Sequence, residues 1–343
     1  MWTHGLGNTR AARRPSPERR TVPRVNWRPG SGLESLRQRA KLLARLRQFF
    51  SERGVLEVET PLLASAGITD PSIESLTVEG GVSIGEQRQR FLQTSPEYAM
   101  KRLLAAYGEP IFQIAKAFRD GEAGSRHNPE FSLLEWYRPG FDHHQLIAEV
   151  GELLCYCLGE RPVQKYSYRQ LFLQRLQLDP FVATADELKA VAELHIDTGG
   201  LTGDRELWLD LLMSHVLEPT LGTKGICFIY DYPASQAALS VVVRDADVFV
   251  GQRFEVYVDG MELANGYCEL TDGQEQRKRF EKDNAVRRQR DQPERSLDEQ
   301  LMAALAHGLP ACSGVALGID RLLMLVTGVS DIRDVLSFDW TRS

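Results

Sequence analysis

Apolar side chains recur at helical spacing in the first part of the chain after residue 30. The spacing of three or four residues is kept at Leu33, Leu36, Ala40, Leu43, Leu46 and Phe50. This period belongs to one face of an amphipathic helix, and Gly54 is placed to end the helix because glycine adopts positive φ without strain. The pattern predicts a helix that opens the folded domain, followed by a strand over 55–58 that runs into Thr60-Pro61.

Helical and strand-like patterns alternate further along the chain. Ser95-Pro96-Glu97 is typical of a helix start, and this helix is predicted to continue through Tyr107. Helical segments are predicted over 142–218, and strands over 111–119, 131–138, 228–232, 238–243, 253–258 and 261–269. These strands are expected to pair mostly with strands that are near in sequence, and helices are interspersed among them. This order favours an α+β fold with an antiparallel β-sheet flanked by helices rather than a doubly wound sheet.

The first 30 residues differ in composition from the remainder. They carry seven arginines and one glutamate, a charge of +6 in a chain of net charge −6. Their few apolar side chains cannot offset the entropy of ordering, so residues 1–30 are expected to be a disordered basic tail and residues 31–343 one folded domain. The tail is interpreted as a solvated extension, with a basic arm for an acidic partner and an organellar address as the alternatives.

Composition also limits the class of protein. The folded part carries a charge of −12, which offers no broad surface for nucleic-acid phosphates. No apolar run approaches the roughly 20 residues that cross a bilayer, and the N-terminus lacks the apolar stretch of a secretory signal. The five cysteines contain no C-x-x-C pair and are interpreted as reduced thiols. A soluble, cytoplasmic protein without membrane contact is expected.

A predicted hairpin near the C-terminal end brings two carboxylates together. Residues 253–258 alternate apolar and polar side chains and turn through Asp259-Gly260. A two-residue Asp-Gly turn would pair 257 with 262 and 255 with 264. Glu255 and Glu262 would then be diagonal neighbours on one face, close enough for both to bind one magnesium ion. The alternative is a pair of solvated glutamates on an exposed face.

The same strand carries two further polar residues, Asn265 and Glu269. Strict alternation places both on the face opposite to Glu262, so joint action of the three requires an irregularity in the strand. Gly266 is the predicted position of a β-bulge. Without a bulge, Glu269 is interpreted as structural.

The strands over 111–119 and 131–138 carry a second group of polar residues. Arg119 ends the first strand, Asn128 lies in the loop, and Glu135 and Tyr137 share a face of the second strand. Arginine and an amide suit a phosphate and a purine, whereas a buried carboxylate beside a phenol suits an ammonium group. A loop salt bridge for Arg119 and an ordinary sheet aromatic for Tyr137 are the alternative interpretations.

A small-residue strand over 313–318 continues into an apolar helix that contains Arg321. Glycine lets a ligand approach the backbone there, and an arginine near a helix N-terminus is well placed for an anion. Gly-rich turns are common in proteins, so this segment alone is weak evidence for a ligand site.

Taken together, these segments resemble the three motifs of class II aminoacyl-tRNA synthetases. Residues 54–61 resemble motif 1, whose proline lies at the dimer interface; residues 118–130 resemble motif 2, and residues 314–321 resemble motif 3. The segments 94–98, 127–137 and 262–269 are similar to the lysine branch of that family. The resemblance covers nearly all of residues 31–343 and implies a class II catalytic domain and a homodimer.

Two further features resemble the branch of (R)-β-lysine ligases that modify elongation factor P. Lysyl-tRNA synthetases place an anticodon-binding domain before the catalytic domain, and here only the basic tail precedes it. Residues 233–237 and 312–316 are similar to the ligases, and Ala316 stands where lysyl-tRNA synthetases have glycine. This branch implies ATP and Mg²⁺ as cofactors, (R)-β-lysine as substrate, elongation factor P as protein acceptor, and no stable binding of tRNA.

The resemblance also implies a role for individual residues. Arg119 and Arg321 are implied as catalytic, and Glu255 and Glu262 as ligands of magnesium. The implied ATP-binding residues are Arg119, Asp120, Gly121, Glu122, Asn128, Glu262, Leu263, Gly318 and Arg321. The implied substrate-binding residues are Ser95, Pro96, Glu97, Glu135, Tyr137, Asn265, Glu269 and Ala316.

Motif 2 departs from the family pattern at one position. The family has Phe-Arg-x-Glu, with the glutamate near the adenine amine, whereas this chain has Phe118-Arg119-Asp120-Gly121-Glu122. Either Glu122 reaches the adenine through a shifted loop, or a backbone group at Gly121 replaces the glutamate.

Two other functions are compatible with the same residues. A truncated lysyl-tRNA synthetase would charge tRNA, and a non-catalytic regulatory paralogue would keep the fold without the chemistry. Retention of Arg119, Glu255, Glu262 and Arg321 together argues against the paralogue, because binding alone does not need the whole phosphate and metal set.

Overall fold

The computed structural model describes residues 27–84 and 87–343. The expected disorder of the basic tail therefore falls almost entirely outside the described residues. The described helices are α1 (Leu33–Ser51), α2 (Glu97–Tyr107), α3 (His143–Leu158), α4 (Tyr168–Leu176), α5 (Ala185–His195), α6 (Arg205–Leu211), α7 (Gly273–Gln289), α8 (Glu299–His307) and α9 (Ile319–Thr327). Within the described ranges, no helix is long and apolar enough to cross a membrane.

The strands form one large mixed sheet and one small sheet. They are β1 (Leu56–Glu57), β2 (Leu63–Ala64), β3 (Thr77–Ile84), β4 (Gln87–Leu92), β5 (Ile111–Phe118), β6 (Glu130–Pro139), β7 (Val163–Ser167), β8 (Ile226–Pro233), β9 (Val242–Asp245), β10 (Val248–Val258), β11 (Met261–Cys268) and β12 (Cys312–Gly318). The large sheet has the order β1-β5-β6-β12-β11-β10-β8-β7, with β9 on β10, and the small sheet has the order β2-β4-β3. All pairs in the large sheet are antiparallel except β1–β5 and β7–β8.

The predicted α+β class with a largely antiparallel sheet is confirmed, and some element bounds are corrected. The strand predicted over 238–243 begins at Val242, because residues 234–236 form a 3-10 turn. β7 interrupts the stretch predicted as helical over 142–218. The small sheet was not predicted, since its strands are short or lack a clear apolar alternation.

The large sheet has one apolar face and one polar face. Leu134 and Trp136 in β6 alternate with Glu135 and Tyr137, and β12 and β10 alternate in the same way. The apolar face packs against α1, α3 and α9 to form the main core. In α1 the buried stripe is Leu42, Leu46, Phe49 and Phe50, whereas Leu33 is 63% exposed, so the predicted apolar face is correct only over the second half of the helix.

Two smaller clusters cover the ends of the polar face. Helices α4 to α6 pack on β8, where Tyr168, Phe172 and Trp208 are buried. At the other end, α2, α7 and α8 enclose Met100, Phe280 and the ring of Tyr137. The centre of the polar face, between these clusters, is where side chains can meet a ligand.

Candidate active site

A row of side chains crosses the polar face of the large sheet. The strand register places Glu135 beside Ala316, Ala316 beside Asn265, and Asn265 beside Glu255, with Gln113 on the outer side of Glu135. Residues directly opposite each other in an antiparallel sheet project from the same face. The row therefore joins the carboxylate predicted for the substrate ammonium group to one predicted for magnesium.

The β10–β11 hairpin departs from its predicted register. Tyr257 pairs with Glu262 as predicted, but Glu255 pairs with Asn265, so the prediction of a pair with Ala264 is wrong. The register shifts by one residue next to Tyr257. Glu255 and Glu262 still share one face, as the two-residue turn predicted.

The register shift is the irregularity that joint action of Glu262, Asn265 and Glu269 requires. One extra residue, Leu263, lies between the partners of Tyr257 and Val256, so the bulge precedes its predicted position at Gly266. An extra residue reverses the side-chain alternation beyond it. Gly266 has another role, because a Cβ there would lie 2.4 Å from the Phe254 ring.

A cavity of about 330 Å³ adjoins the row at Ala316 and Asn265 and is lined by motif 2 and motif 3 residues. It brings together seven of the nine predicted ATP-binding residues and two predicted substrate-binding residues. These are Arg119, Glu122, Asn128, Glu262, Leu263, Gly318 and Arg321, with Asn265 and Ala316. Residues that the resemblance had not assigned also line it, among them Arg126, His127 and Phe131.

Three arginines line this cavity, and two of them are predicted ATP-binding residues. Arg321 donates to the backbone oxygen of Glu262 at 2.8 Å, and its Nη2 lies 2.7 Å from His127 Nε2. Arg119 lies over the Phe131 ring at 5.1 Å, and its buried Nε has no hydrogen-bond partner among the described residues. Burial and the neighbouring Arg321 lower the pKa of His127. The cavity thus presents cationic donors with capacity left for an anion.

Of the three residues that follow Arg119 in motif 2, one lines the cavity. Glu122 lines the cavity and lies 3.5 Å from Arg119 Nη1. The Asp120 N–H donates to the backbone oxygen of Glu74. Gly121 has φ +77°, which turns the chain between the two acidic residues. Of the two alternatives for the adenine, this geometry favours Glu122 over a backbone group at Gly121.

The side-chain amide of Asn128 makes two hydrogen bonds within the protein. Its Nδ2 donates to the Glu130 carbonyl at 2.7 Å, and its Oδ1 accepts from the Trp340 N–H at 3.0 Å. The side chain is buried, so these bonds fix the loop that carries His127. In this structure Asn128 positions the cavity wall.

Several donors converge on Glu255. Arg253, Tyr232, Tyr257 and Asn265 all donate to its carboxylate, with the Tyr232 hydroxyl at 2.7 Å and the Asn265 amide at 3.1 Å. Such a network holds a carboxylate in one orientation before a ligand arrives.

The acidic side chains near Glu255 have the chemistry of a magnesium site. Burial and the charge of Glu255 raise the pKa of Glu262. Glu218, which was not predicted from the sequence, lies 3.2 Å from the Tyr257 hydroxyl, and its pKa is raised to about 7 by burial and then by Glu255 and Glu262. Carboxylates that repel one another in this way fit a hard dication, which prefers oxygen ligands.

The opposite end of the row is an acidic pocket around Glu135. The Tyr137 hydroxyl donates to Glu135 Oε1 at 2.6 Å, and Ser95 donates to Oε2 at 2.7 Å. Burial, followed by the charge of Glu97, raises the pKa of Glu135 to about 8. Ser95 does not cap α2 at the predicted position; the helix begins at Glu97, whose N–H still donates to Ser95 at 3.1 Å.

A buried lysine links two carboxylates of this pocket. Lys101 Nζ lies 2.6 Å from Glu97 and 2.7 Å from Glu269, and the lysine side chain is only 3% exposed. Lys101 was not predicted, because its position looks like an exposed one on an amphipathic helix. Its i,i+4 spacing from Glu97 was the available signal.

Gly314 allows the side chains of the acidic pocket to pack closely. It pairs with Tyr137 on one side and Tyr267 on the other. A Cβ on Gly314 would lie 2.3 Å from the Tyr137 ring and 2.6 Å from Glu269 Oε1. The absence of a side chain at this position therefore allows Tyr137 and Glu269 to approach each other across β12.

The remaining predicted substrate residues lie at the edges of this pocket. Ser95, Pro96 and Glu97 also line a larger cleft of about 860 Å³ that extends to α8. Ala316 lies in the floor of the row between Glu135 and Asn265, so its methyl group separates the acidic pocket from the cationic cavity.

Comparison with known proteins identifies the relatives of this chain. A family model described as class II tRNA synthetases (D, K and N) matches residues 19–342. A protein named elongation factor P--(R)-beta-lysine ligase from Haemophilus influenzae (strain PittGG) is 48% identical over 314 residues, which cover 91% of this chain and 97% of the relative.

Two further relatives carry the same name. The protein from Pseudoalteromonas translucida is 48% identical over 320 residues, covering 92% of this chain and 98% of the relative. The protein from Salmonella typhi is 46% identical over 324 residues, covering 93% and 99%. With its matched length and its mixed sheet flanked by helices, the chain belongs to the family of class II tRNA synthetases (D, K and N).

Proposed function

We propose that this protein uses ATP to activate (R)-β-lysine and transfers the β-lysyl group to a lysine ε-amine of elongation factor P. The observation that carries the proposal is the row Glu135–Ala316–Asn265–Glu255, which connects an acidic pocket to a cationic cavity. A β-lysine molecule carries two ammonium groups and one carboxylate, so it fits a site with this polarity. The relatives named as ligases of β-lysine and elongation factor P support the same assignment.

In the first step, an oxygen of the β-lysine carboxylate attacks the α-phosphorus of ATP. The bond between the α-phosphorus and the bridging oxygen breaks, and pyrophosphate leaves. The attacking carboxylate is already ionised, so this step depends on positioning and on stabilisation of phosphate charge. Arg119 and Arg321 are proposed to bind the phosphates, and Glu122, Leu263 and Gly318 to line the nucleotide site.

In the second step, the neutral ε-amine of the acceptor lysine attacks the acyl carbon of the adenylate. The carbon–oxygen bond to AMP breaks, AMP leaves, and the amine loses a proton as the amide forms. The acidic pocket holds the β-lysyl ammonium groups during both steps, which keeps the acyl carbon near the cavity.

Glu255 and Glu262 are proposed to bind Mg²⁺, with Glu218 as a neighbouring carboxylate. A bound magnesium ion would neutralise phosphate charge next to the two arginines. Glu255 is already oriented by its four donors, so little rearrangement of this side chain is required.

We also propose a homodimer through the motif 1 region and a place in the cytoplasm, where the acceptor would take part in translation. Leu56, Leu62, Leu63 and Tyr107 are exposed large apolar side chains near Pro61, with Tyr107 73% exposed. Such a cluster favours burial by a second protein surface. Light scattering at increasing protein concentration tests the dimer, and a Leu63→Glu variant should shift it to monomer.

The test of the function is a mass measurement on purified elongation factor P after incubation with the protein, ATP, Mg²⁺ and (R)-β-lysine. A β-lysyl adduct on one lysine is the expected result. Parallel reactions replace β-lysine by α-lysine and the factor by tRNA. Charging of tRNA with an unmodified factor would overturn the proposal and support a truncated synthetase, whereas absence of ATP–pyrophosphate exchange would support a non-catalytic paralogue.

A further inference from the structure

A pair of histidines and an aspartate meet outside the site described above. His143 and His144 are the first two residues of α3, and Asp231 lies in β8. One ligand atom from each residue lies within 4.8 Å of the other two. None of the three belongs to the residues assigned to ATP, magnesium or the amino acid, so the cluster needs its own explanation.

The position of Asp231 results from an irregularity in the sheet. Tyr232 pairs with Gly251 of β10 and Tyr230 pairs with Phe254, so two residues of β10 face the single residue Asp231. Asp231 adopts φ +57°, which non-glycine residues rarely do. Its backbone is thereby released from the regular ladder, and its carboxylate contacts the start of α3.

The separations in the cluster suit a shared metal ion. Two ligand atoms at 2.0–2.1 Å from a tetrahedral metal lie about 3.3 Å apart. His143 Nε2 lies 3.1 Å from Asp231 Oδ1, so these two atoms need almost no movement to bind one ion. The ring of His144 lies 4.1 Å from that of His143.

His144 can complete the set. It is exposed, its ring packs edge-on against Tyr230 at 5.1 Å, and it makes no hydrogen bond with any residue that the structure describes. Rotation of this side chain can bring a third ligand atom to the ion, which leaves a fourth position for water.

A hydrogen-bonded histidine–aspartate pair is the simpler interpretation of the same contact. In that state His143 Nε2–H donates to Asp231, and the buried Nδ1 has no partner within the described part of the chain. The pair alone gives no role to His144. Metal binding to Nε2 requires the ring proton on Nδ1, so the two interpretations differ in the tautomer of His143, which the ¹⁵N chemical shifts of the ring measure.

We propose that His143, His144 and Asp231 form a binding site for a transition-metal dication such as Zn²⁺. Two imidazoles and one carboxylate favour Zn²⁺, Ni²⁺ or Co²⁺ over Mg²⁺, which prefers oxygen ligands. A bound ion joins the N-terminus of α3 to β8. The next residue in β8, Tyr232, donates to Glu255, so the ion would also stiffen the strand that orients this carboxylate.

Calorimetric titration of the full chain with Zn²⁺ and with Ni²⁺ at near-neutral pH tests the site. The expected result is one ion bound per chain. Because the five cysteines are unpaired thiols, the absorption spectrum with Co²⁺ is recorded as well. Imidazole and carboxylate ligation lacks the thiolate charge-transfer bands that a cysteine site would show.

The informative variants are His144→Ala and Asp231→Asn. His144 is exposed, and asparagine tolerates the left-handed backbone of Asp231, so both variants should fold. Each should weaken Zn²⁺ binding about tenfold or more, since a ligand is lost. The matched control is His195→Ala, which removes another exposed helical histidine and should bind Zn²⁺ as the unmodified chain does.

Two outcomes would overturn the proposal. Equal Zn²⁺ affinity in His144→Ala and the unmodified chain would place the ion elsewhere, and thiolate bands with Co²⁺ would assign it to cysteine. No binding of Zn²⁺ or Ni²⁺ at micromolar concentrations would leave the histidine–aspartate hydrogen bond as the explanation of the cluster.

Discussion

The two ends of the polar face pair the same acidic residue type with different cations. At the cavity end, Glu255 and Glu262 lie beside the guanidinium groups of Arg253 and Arg321. At the pocket end, Glu97 and Glu269 share the single buried ammonium group of Lys101.

The difference teaches how one sheet face can bind a zwitterionic ligand in one orientation. Arginines at the cavity end favour the anionic phosphates and the carboxylate, whereas the pocket end has more carboxylates than cations and favours ammonium groups. Ala316 lies between the two ends and contributes only a methyl group. The orientation of the amino acid would follow from this polarity.

Removal of the ammonium group from the acidic pocket should have the largest effect. Lys101→Met leaves Glu97 and Glu269 buried without a counter-charge, and loss of one partner of a buried ion pair costs about 3–5 kcal/mol of unfolding free energy. Thermal and urea unfolding measure this change. In the control Lys116→Met, the lost ion pair with Glu130 is exposed, and the change should stay below about 1 kcal/mol.

The double variant Lys101→Met/Glu269→Gln tests whether the lost stability comes from unpaired negative charge. Glutamine removes one of the two unpaired charges, so part of the lost stability should return. Stability that does not return, or a single variant as stable as the unmodified chain, would contradict an electrostatic role for Lys101.

Removal of a cation from the cavity end should impair chemistry more than folding. Arg321→Ala should slow ATP–pyrophosphate exchange about 10²–10³-fold, because a preorganised donor for phosphate charge is lost. Arg277→Ala, which breaks an exposed pair with Glu299, is the matched control. Exchange at the normal rate in Arg321→Ala would remove this residue from the proposed phosphate site.

A methyl group on Gly314 tests the packing between the two ends. In Gly314→Ala the new Cβ would overlap the Tyr137 ring, and overpacking of this kind costs about 1–3 kcal/mol. We expect a raised KM for the amino acid together with a lower Tm. Gly151→Ala is the control, since a Cβ there meets its nearest neighbour at 3.9 Å. Similar KM values in both variants would argue against a role for Tyr137 in the pocket.

A pH dependence is expected from Glu135, as an effect that develops only across a range of pH. Its pKa is raised from 4.5 to about 8, so the folded protein binds this proton more tightly than the unfolded chain does. The free energy of unfolding contributed by Glu135 therefore falls as pH rises between these values. Glu135→Gln should be relatively more stable at the upper end of this range, as measured by urea unfolding at several pH values.

The amino acid should show the opposite trend, because ionised Glu135 attracts an ammonium group. KM for β-lysine should fall as pH approaches 8, and Glu135→Gln should abolish this dependence. A stability difference between the two proteins that does not change with pH would contradict the raised pKa.

Local signals predicted much of the fold. The turn at Asp259-Gly260, the alternation in β6 and β10 and the helix after Ser95 follow from residue spacing, and the structure contains each of them. The small sheet and β7 were not predicted, because their sequences carry no clear apolar alternation. The predicted pair of Glu255 with residue 264 was wrong, because β11 has an extra residue, Leu263, that the turn residues do not predict.

The sequence by itself determined the fold class, the polar and apolar faces of the main strands and the residue types available for phosphate, magnesium and ammonium groups. These follow from side-chain period and from short motifs, which act over a few residues. Only the tertiary structure decided that Lys101 is buried between two glutamates, that Glu122 lines the cavity and that His143 and Asp231 are in contact. Burial and charge pairing depend on elements that are distant in the chain, so no local pattern specifies them.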